Sequence, residues 1–479
     1  MTGLGYMMVA GGMSTRMGRD KASLPWMDGT LLSSLAMRAV RSYSFTHLCV
    51  VINRPLAKTE WPGRVWPVTK SGGLLRGDAY IVPTTEGMMY RWQPPDSVRI
   101  ISMLVVSDRF KECGPLAGVE AGLRAITAIA DAGDTALPEY YLTVSVDMPF
   151  YEPDPIVLTK WQKTVLKPDT TNISNAANIA NTSSASNTSN AANIANTSSA
   201  SNTSNAANAS NTSNAANASN ITDISNVCDT PYSFMPRQED GRLQPLAAIY
   251  HRRCGDIAKE LLEKGERRMQ SLVAAVPTVY VPISSDNRRY RNVNTPLAYK
   301  EALAYAINRS RTVPIVTVTA NRSKTGKTRV ATELIRRLTN RGIAVGLVKS
   351  DGHGFTMDYA DTDTGKATAA GAAAVAISGP NGYALLHHTP SEDSLLTLAQ
   401  SMQVDVALLE SRRHGSFPKI VVLRQHHMEE LPCEPQEVLA IVSDGPRPLP
   451  ETECRYFSFD EGEALATWLL ERDIFGRRQ

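Results

Sequence analysis

No two cysteines of this chain stand in C-x-x-C spacing. Its six cysteines, at 49, 113, 228, 254, 433 and 454, are scattered without a repeated interval. That pattern argues against a thiolate zinc site or a disulfide framework and suits a reducing compartment. No apolar run approaches the roughly 18 residues that a membrane helix needs, and no signal peptide is read ahead of the first strand. A cytoplasmic chain without a membrane partner is therefore expected. An excess of one sign of charge is missing too. Lys and Arg number 50 against 47 Asp and Glu, and a net charge of +3 is too small to argue for nucleic acid. Ser, Cys and His show no nucleophile-elbow setting, so hydrolase chemistry has no support. The pairs His387-His388 and His426-His427 point apart on a strand and chelate poorly on a helix, so structural or surface roles are expected for them.

What is present begins with length. At 479 residues the chain exceeds one ordinary core, and its 42% hydrophobic content is enough for α/β cores, so two or three domains are expected. Three boundaries stand out. Residues 171–226 are almost wholly Asn, Ser, Ala and Thr; 174–188 recurs identically as 189–203, and a shorter unit at 204–212 returns at 213–221. Each unit offers at most one Ile, so stacking would bury almost nothing, and a disordered insertion in a surface loop is expected. Residues 54–95 are rich in Trp, Pro and Gly, and Trp61, Trp66 and Trp92 are read as a satellite cluster. The polar, basic stretch 308–312 reads as a linker between a domain at 1–307 and another at 313–479.

The first domain opens on an apolar run, Tyr6-Met-Met-Val-Ala10, read as a short buried strand. A glycine-rich basic loop follows, Ala10-Gly-Gly-Met-Ser-Thr-Arg-Met-Gly-Arg-Asp-Lys21. Gly11, Gly12 and Gly18 let backbone N–H groups turn toward an anion, while Arg16, Arg19 and Lys21 supply cations, an arrangement that suits a triphosphate. The glycine spacing is neither that of a Walker A loop nor that of a dinucleotide fingerprint. A solvated surface turn is the competing reading. Asp147 ends the apolar run Tyr140-Tyr-Leu-Thr-Val-Ser-Val146, which sets its carboxylate at a sheet's C-terminal edge, where open α/β folds bind ligands.

The loop pattern Ala-Gly-Gly-x-Ser-x-Arg-Met-Gly-x-Asp-Lys resembles the N-terminal signature of molybdenum cofactor guanylyltransferases. Further matches follow in order: Asn53 after Leu48-Cys-Val-Val-Ile52, Asp108 ahead of Gly114-Pro-Leu-Ala-Gly118, and Asp147 in Val146-Asp-Met-Pro-Phe150. Beyond them come Gln244-Pro-Leu-Ala-Ala248, Gly265-Glu-Arg-Arg268 and Asn292-Val-Asn-Thr-Pro296. The resemblance implies a doubly wound, Rossmann-like α/β nucleotidyltransferase that moves GMP from GTP onto Mo-molybdopterin. It implies GTP contacts from Val9, Ala10, Gly11, Gly12, Lys21, Asn53, Asp108 and Asp147, catalytic roles for Arg16, Lys21 and Asp147, and Mg²⁺ on Asp147 with Asp108 as a second or water-mediated partner. A cytidylyl or sugar-phosphate nucleotidyltransferase, or a non-catalytic cofactor carrier, remains the alternative.

The second domain restarts with a strand at 313–319 running into Asn321-Arg-Ser-Lys-Thr-Gly-Lys-Thr328, then a helix at 329–339 and a strand within 341–349. Strand, loop, helix, strand is the context of a P-loop, with Gly326 in the turn, Lys327 reaching the β/γ-phosphates and Thr328 on Mg²⁺. Asn321 stands where the first Gly belongs and is expected to take a left-handed backbone in its place. A loop that keeps the fold but has lost nucleotide affinity is the competing reading. The segment resembles the GTP-binding adaptor of the same pathway in Lys349-Ser-Asp-Gly-His-Gly-Phe355, Asp363-Thr-Gly-Lys366, Ala370-Gly-Ala-Ala-Ala374 and Pro418-Lys-Ile-Val-Val422. That implies a P-loop NTPase-like α/β domain in which Glu410 is the Walker B acid, and apo-molybdoenzymes and other cofactor-synthesis proteins as partners.

Overall fold

A computed structural model describes residues 3–10, 17–54, 56, 61–67, 87–110, 112–131, 137–166, 230–285, 287–349, 359, 361–387, 395–411, 416–425 and 430–477. The expected insertion at 171–226 lies outside the described residues, as do Gly11, Gly12, Arg16, His388, His426, His427 and the segment 350–358.

Two sheets organise the chain. The first is built from β1 (Leu4–Val9), β4 (His47–Val51), β5 (Arg64–Pro67), β6 (Gly87–Gln93), β7 (Ile101–Val106), β8 (Tyr140–Ser145), β9 (Ser233–Gln238), β10 (Ala247–His251) and β11 (Thr278–Ile283). Between β1 and β4, β2 (Pro25–Trp26) and β3 (Gly29–Thr30) pair as a small ribbon. The strand order is β11-β9-β10-β8-β1-β4-β7-β6-β5. β8, β1, β4 and β7 run parallel, while β10 and β6 are antiparallel to their neighbours β8 and β7. β1 is buried along its whole length because both faces are covered: Tyr6 and Met8 enter one core, Met7 and Val9 the other. A continuous apolar run is what two covered faces require. From β1 the chain steps to β4 and β7 on one side, then crosses to β8 on the other. That reversal opens a crevice between the ends of β1 and β8.

The helix Pro115–Asp131 closes one face. Gly118 and Gly122 let it lie against β1: a Cβ at Gly118 would stand 2.6 Å from Val9 Cγ1, and one at Gly122 would run into Met7 Sδ. The Trp-rich stretch contributes β5 and β6. Trp61 and Trp92 are 3% and 0% exposed and pack edge to face at 5.3 Å within the main core, not in the satellite cluster expected. The reason is the antiparallel pairing of β6 on β7, which seats Trp92 opposite Ile101.

The second sheet contains β12 (Ile315–Thr319), β13 (Val345–Lys349), β16 (Val406–Ser411), β17 (Lys419–Leu423), β18 (Val438–Ser443) and β19 (Arg455–Phe457), all parallel, in the order β13-β16-β12-β17-β18-β19. β14 (Ala374–Gly379) and β15 (Gly382–His387) form a separate hairpin. The helix Lys327–Thr339 packs its apolar side on this sheet through Val330, Ala331, Leu334 and Leu338.

The two sheets share a helix, Pro296–Ser310: Tyr299 and Ala302 enter the first sheet's core and Ala304 the second's. Residues 308–310, expected as the start of a linker, are its closing turn. The Asn308 side chain is fully buried, donates to the carbonyls of Ile315 (3.0 Å) and Ile474 (2.8 Å) and accepts from the Ile315 amide (3.0 Å). A polar residue here satisfies buried backbone instead of meeting solvent. Among the described residues no helix is long and apolar enough to cross a membrane.

Candidate active site

The crevice between β1 and β8 brings together three residues from distant parts of the chain. Lys21, after β1, places its ammonium 3.3 Å from Asp147 Oδ2, just beyond β8, and donates to Asn294 Oδ1 at 2.8 Å. Lys21 and Asp147 side chains are both 17% exposed, so the pair is sheltered yet open to a ligand. Asp147 Oδ1 is buried and finds no hydrogen-bond partner among the described residues. A buried carboxylate oxygen left unpaired is costly, and a cation is one partner that satisfies it. The Asp147 carbonyl is held by the Val293 amide at 2.8 Å. Val9 and Ala10 lie at the edge of the same crevice, where Val146 N donates to Val9 O and Ala10 N to Val51 O.

A second pair forms at the ends of β4 and β7. Asn53 Nδ2 donates to Asp108 Oδ2 at 2.9 Å, and the Asp108 amide returns the bond to Asn53 Oδ1 at 3.0 Å. Arg54, next in the chain, pairs with Asp20 at 2.7 Å, and Asp20 in turn accepts from the Ala22 amide, fastening the turn that carries Lys21. Arg109 reaches back to the fully buried Glu120 carboxylate, which also binds Arg124. The sequence-predicted residues thus fall into two groups along one sheet edge: Lys21 with Asp147, and Asn53 with Asp108.

At the second sheet, the loop after β12 leads through Gly326 (φ +104°) into the helix Lys327–Thr339. Thr328 Oγ1 donates to Glu410 Oε1 at 2.8 Å, and Glu410, 5% exposed, stands on β16 in register with Val318 of β12. Glu410 Oε2 is buried and has no hydrogen-bond partner among the described residues. A hydroxyl and an acid at this distance, one after the loop and one on the neighbouring strand, are the pair from which phosphate-binding loops hold Mg²⁺. Lys327 donates to the Arg322 carbonyl at 3.0 Å, across its own loop.

Residues 315–444 match the family described as molybdopterin guanine dinucleotide synthesis protein B, MobB. The Escherichia coli K12 molybdopterin-guanine dinucleotide biosynthesis adapter protein is 33% identical over 157 residues, 31% of this chain and 87% of that protein. The chain belongs to the MobB family. Residues 7–159 match the MobA-like NTP transferase domain, so a MobA-like domain precedes the MobB domain in one polypeptide. The Haemophilus influenzae adapter protein is 29% identical over 143 residues, covering 29% of this chain and 80% of that protein. The solved structure of molybdopterin-guanine dinucleotide biosynthesis protein A from Archaeoglobus fulgidus is 14% identical, covers 64% of this chain and 99% of its own, and has a TM-score of 0.33.

The MobB domain corrects one expectation. Asn321 does not take a left-handed backbone; that role falls to Lys324 (φ +60°) and Gly326. The Asn321 side-chain Nδ2 instead donates to the carbonyl of Glu430, tying the loop to the segment ahead of β18. At the first sheet's site, Asn294 is the residue to which its motif, Asn292-Val-Asn-Thr-Pro296, assigns no role. Its tie to Lys21 spans 273 positions and has no local signal.

Proposed function

We infer that the MobA-like domain transfers GMP from GTP to Mo-molybdopterin, giving molybdopterin guanine dinucleotide and pyrophosphate. The observation that carries this reading is the Lys21–Asp147 pair at the switch point, whose buried Asp147 Oδ1 has no partner among the described residues. The terminal phosphate of molybdopterin is already ionised at neutral pH, so no general base is needed. One of its oxygens forms a bond to the α-phosphorus of GTP as the bond to the bridging α–β oxygen breaks and pyrophosphate departs. The barrier is the approach of two anions and the charge on the leaving group. Lys21 supplies a cation for the departing phosphates, and Asn294 aims it. Arg16 is assigned to the same phosphates from the sequence alone. Asp147 would hold Mg²⁺, with Asp108 as a second or water-mediated partner; when bound, the ion neutralises phosphate charge. From the sequence alone, the Ala10-Gly11-Gly12 form of the loop, which resembles the guanylyltransferase pattern, favours GTP over CTP.

The MobB domain, on this reading, binds GTP through Gly326, Lys327, Thr328 and Glu410 and assists synthesis or delivery of the cofactor to apo-molybdoenzymes. The test is pyrophosphate release from GTP or CTP with Mg²⁺ and Mo-molybdopterin. Release with GTP but not CTP, reduced by at least about a hundredfold in Asp147→Ala, is expected. A wild-type protein that binds cofactor and releases no pyrophosphate would leave a carrier role instead.

A further inference from the structure

Residues 287–295 run as a strap between the two sheets and end in the candidate active site. At the site end, the Val293 amide holds the Asp147 carbonyl and Asn294 holds Lys21, both at 2.8 Å. In the middle, the Tyr290 hydroxyl donates to Asp154 Oδ2 at 2.8 Å and Arg289 lies 3.1 Å from the same buried carboxylate. At the other end Arg288 leaves the first sheet altogether. Its Nη2 donates to Asp473 Oδ2 at 2.7 Å, just beyond the helix Gly462–Glu471 that packs into the second sheet's core. The Arg288 guanidinium also lies 3.7 Å from the ring centre of Tyr305 and 6.0 Å from that of Phe150, three residues after Asp147.

The helix into which the strap runs is gripped from the same side. Leu297 N donates to Thr452 O at 2.8 Å, and buried Lys300 donates to the carbonyls of Pro435 (2.7 Å) and Glu453 (2.6 Å). Glu301 draws Arg291 of the strap to 3.3 Å and Arg472 of the MobB domain to 3.6 Å. The segment that aims Lys21 is therefore anchored at one end on its own sheet and at the other on the MobB domain. Charge-assisted contacts of this kind fix direction as well as distance.

We propose that Asp473 is a positioning residue for the Lys21–Asp147 site: through Arg288 and the strap, the MobB domain sets where Asn294 holds the Lys21 ammonium. The activity readout rests on the transfer reading above; the structural readout does not. Full-length Asp473→Ala, Asn294→Ala and the double variant are compared with wild type for pyrophosphate release and for hydrogen exchange at the Val293 amide. Asp473→Ala is expected to lower kcat about tenfold to a hundredfold with little change in KM for GTP, since misplacement of a reacting group acts on the chemical step. The double variant should lose no more than Asn294→Ala alone, because both act on one ammonium. The Val293 amide should exchange faster in Asp473→Ala, while Asp473→Asn, which keeps an acceptor, restores part of both signals. Should Asp473→Ala fail to fold, Arg288→Lys is measured the same way and is expected to give a smaller loss, since a cation remains but its single contact to Asp473 is displaced. Unchanged Val293 exchange, or losses that multiply in the double variant, overturns the proposal. If wild type releases no pyrophosphate, the transfer reading fails, and Val293 exchange alone decides the positioning role.

Discussion

His251 shows how one residue converts burial into a response to pH. Its ring stacks on Tyr232 at 5.2 Å and meets Tyr140 edge-on at 4.9 Å. Burial disfavours its charged form and pulls its pKa from 6.5 to about 4. The unfolded chain, whose His titrates near 6.5, therefore binds a proton over a window in which the folded chain does not. The stabilisation is fully present above pH 6.5 and is lost as pH falls toward 4. Thermal unfolding followed by circular dichroism should show the midpoint dropping across that window in wild type and dropping less in His251→Phe. Equal slopes in the two proteins would mean that His251 contributes nothing to the acid response.

At the scale of elements, the helix Pro115–Asp131 separates two uses of glycine. Gly114 stands at φ +70° with open space around it, so a side chain there meets only backbone strain. Gly118 is needed for close approach, because a Cβ would stand 2.6 Å from Val9 Cγ1 in a strand buried on both faces. Gly118→Ala should then cost about 1–3 kcal/mol by overpacking, read as a lowered midpoint in urea, and it should also shift β1 and the loop it carries. A midpoint within error of wild type would mean that β1 yields more readily than its burial implies.

The same elements mark what was legible in the sequence. β1 and β12 were readable because an apolar run that ends in a phosphate-type loop is rarely anything but a buried strand, and both strands fall within two residues of their predicted limits. Asp147 was readable as an acid at a strand end, and Glu410 only through the resemblance to the adaptor family. β5 and β6 were not, since Trp and Pro between turn residues carry no period. The helix through Asn308 was hidden by its own composition, because polarity signals exposure only when the polar group has no buried backbone to satisfy. Asn294 and Asn321 act through partners far along the chain, and spacing carries no information about those.

For the whole molecule, the shared helix Pro296–Ser310 decides whether the two sheets behave as one body. Asn308 joins the carbonyls of Ile315 and Ile474, and each buried group orphaned by Asn308→Ala costs about 1–3 kcal/mol. Calorimetry should give a single transition for wild type and a single, lower one for Asn308→Ala. Two resolved transitions in wild type would mean that the sheets unfold independently and the helix belongs to only one of them.

That helix also removes dilution as a variable. Two separate proteins meet in proportion to the product of their concentrations, so when both are scarce most of each stays unpaired. Here the partner sites share a backbone, so their ratio is fixed at one to one and no dissociation constant stands between them. At any concentration of the chain the two domains therefore stay paired one to one.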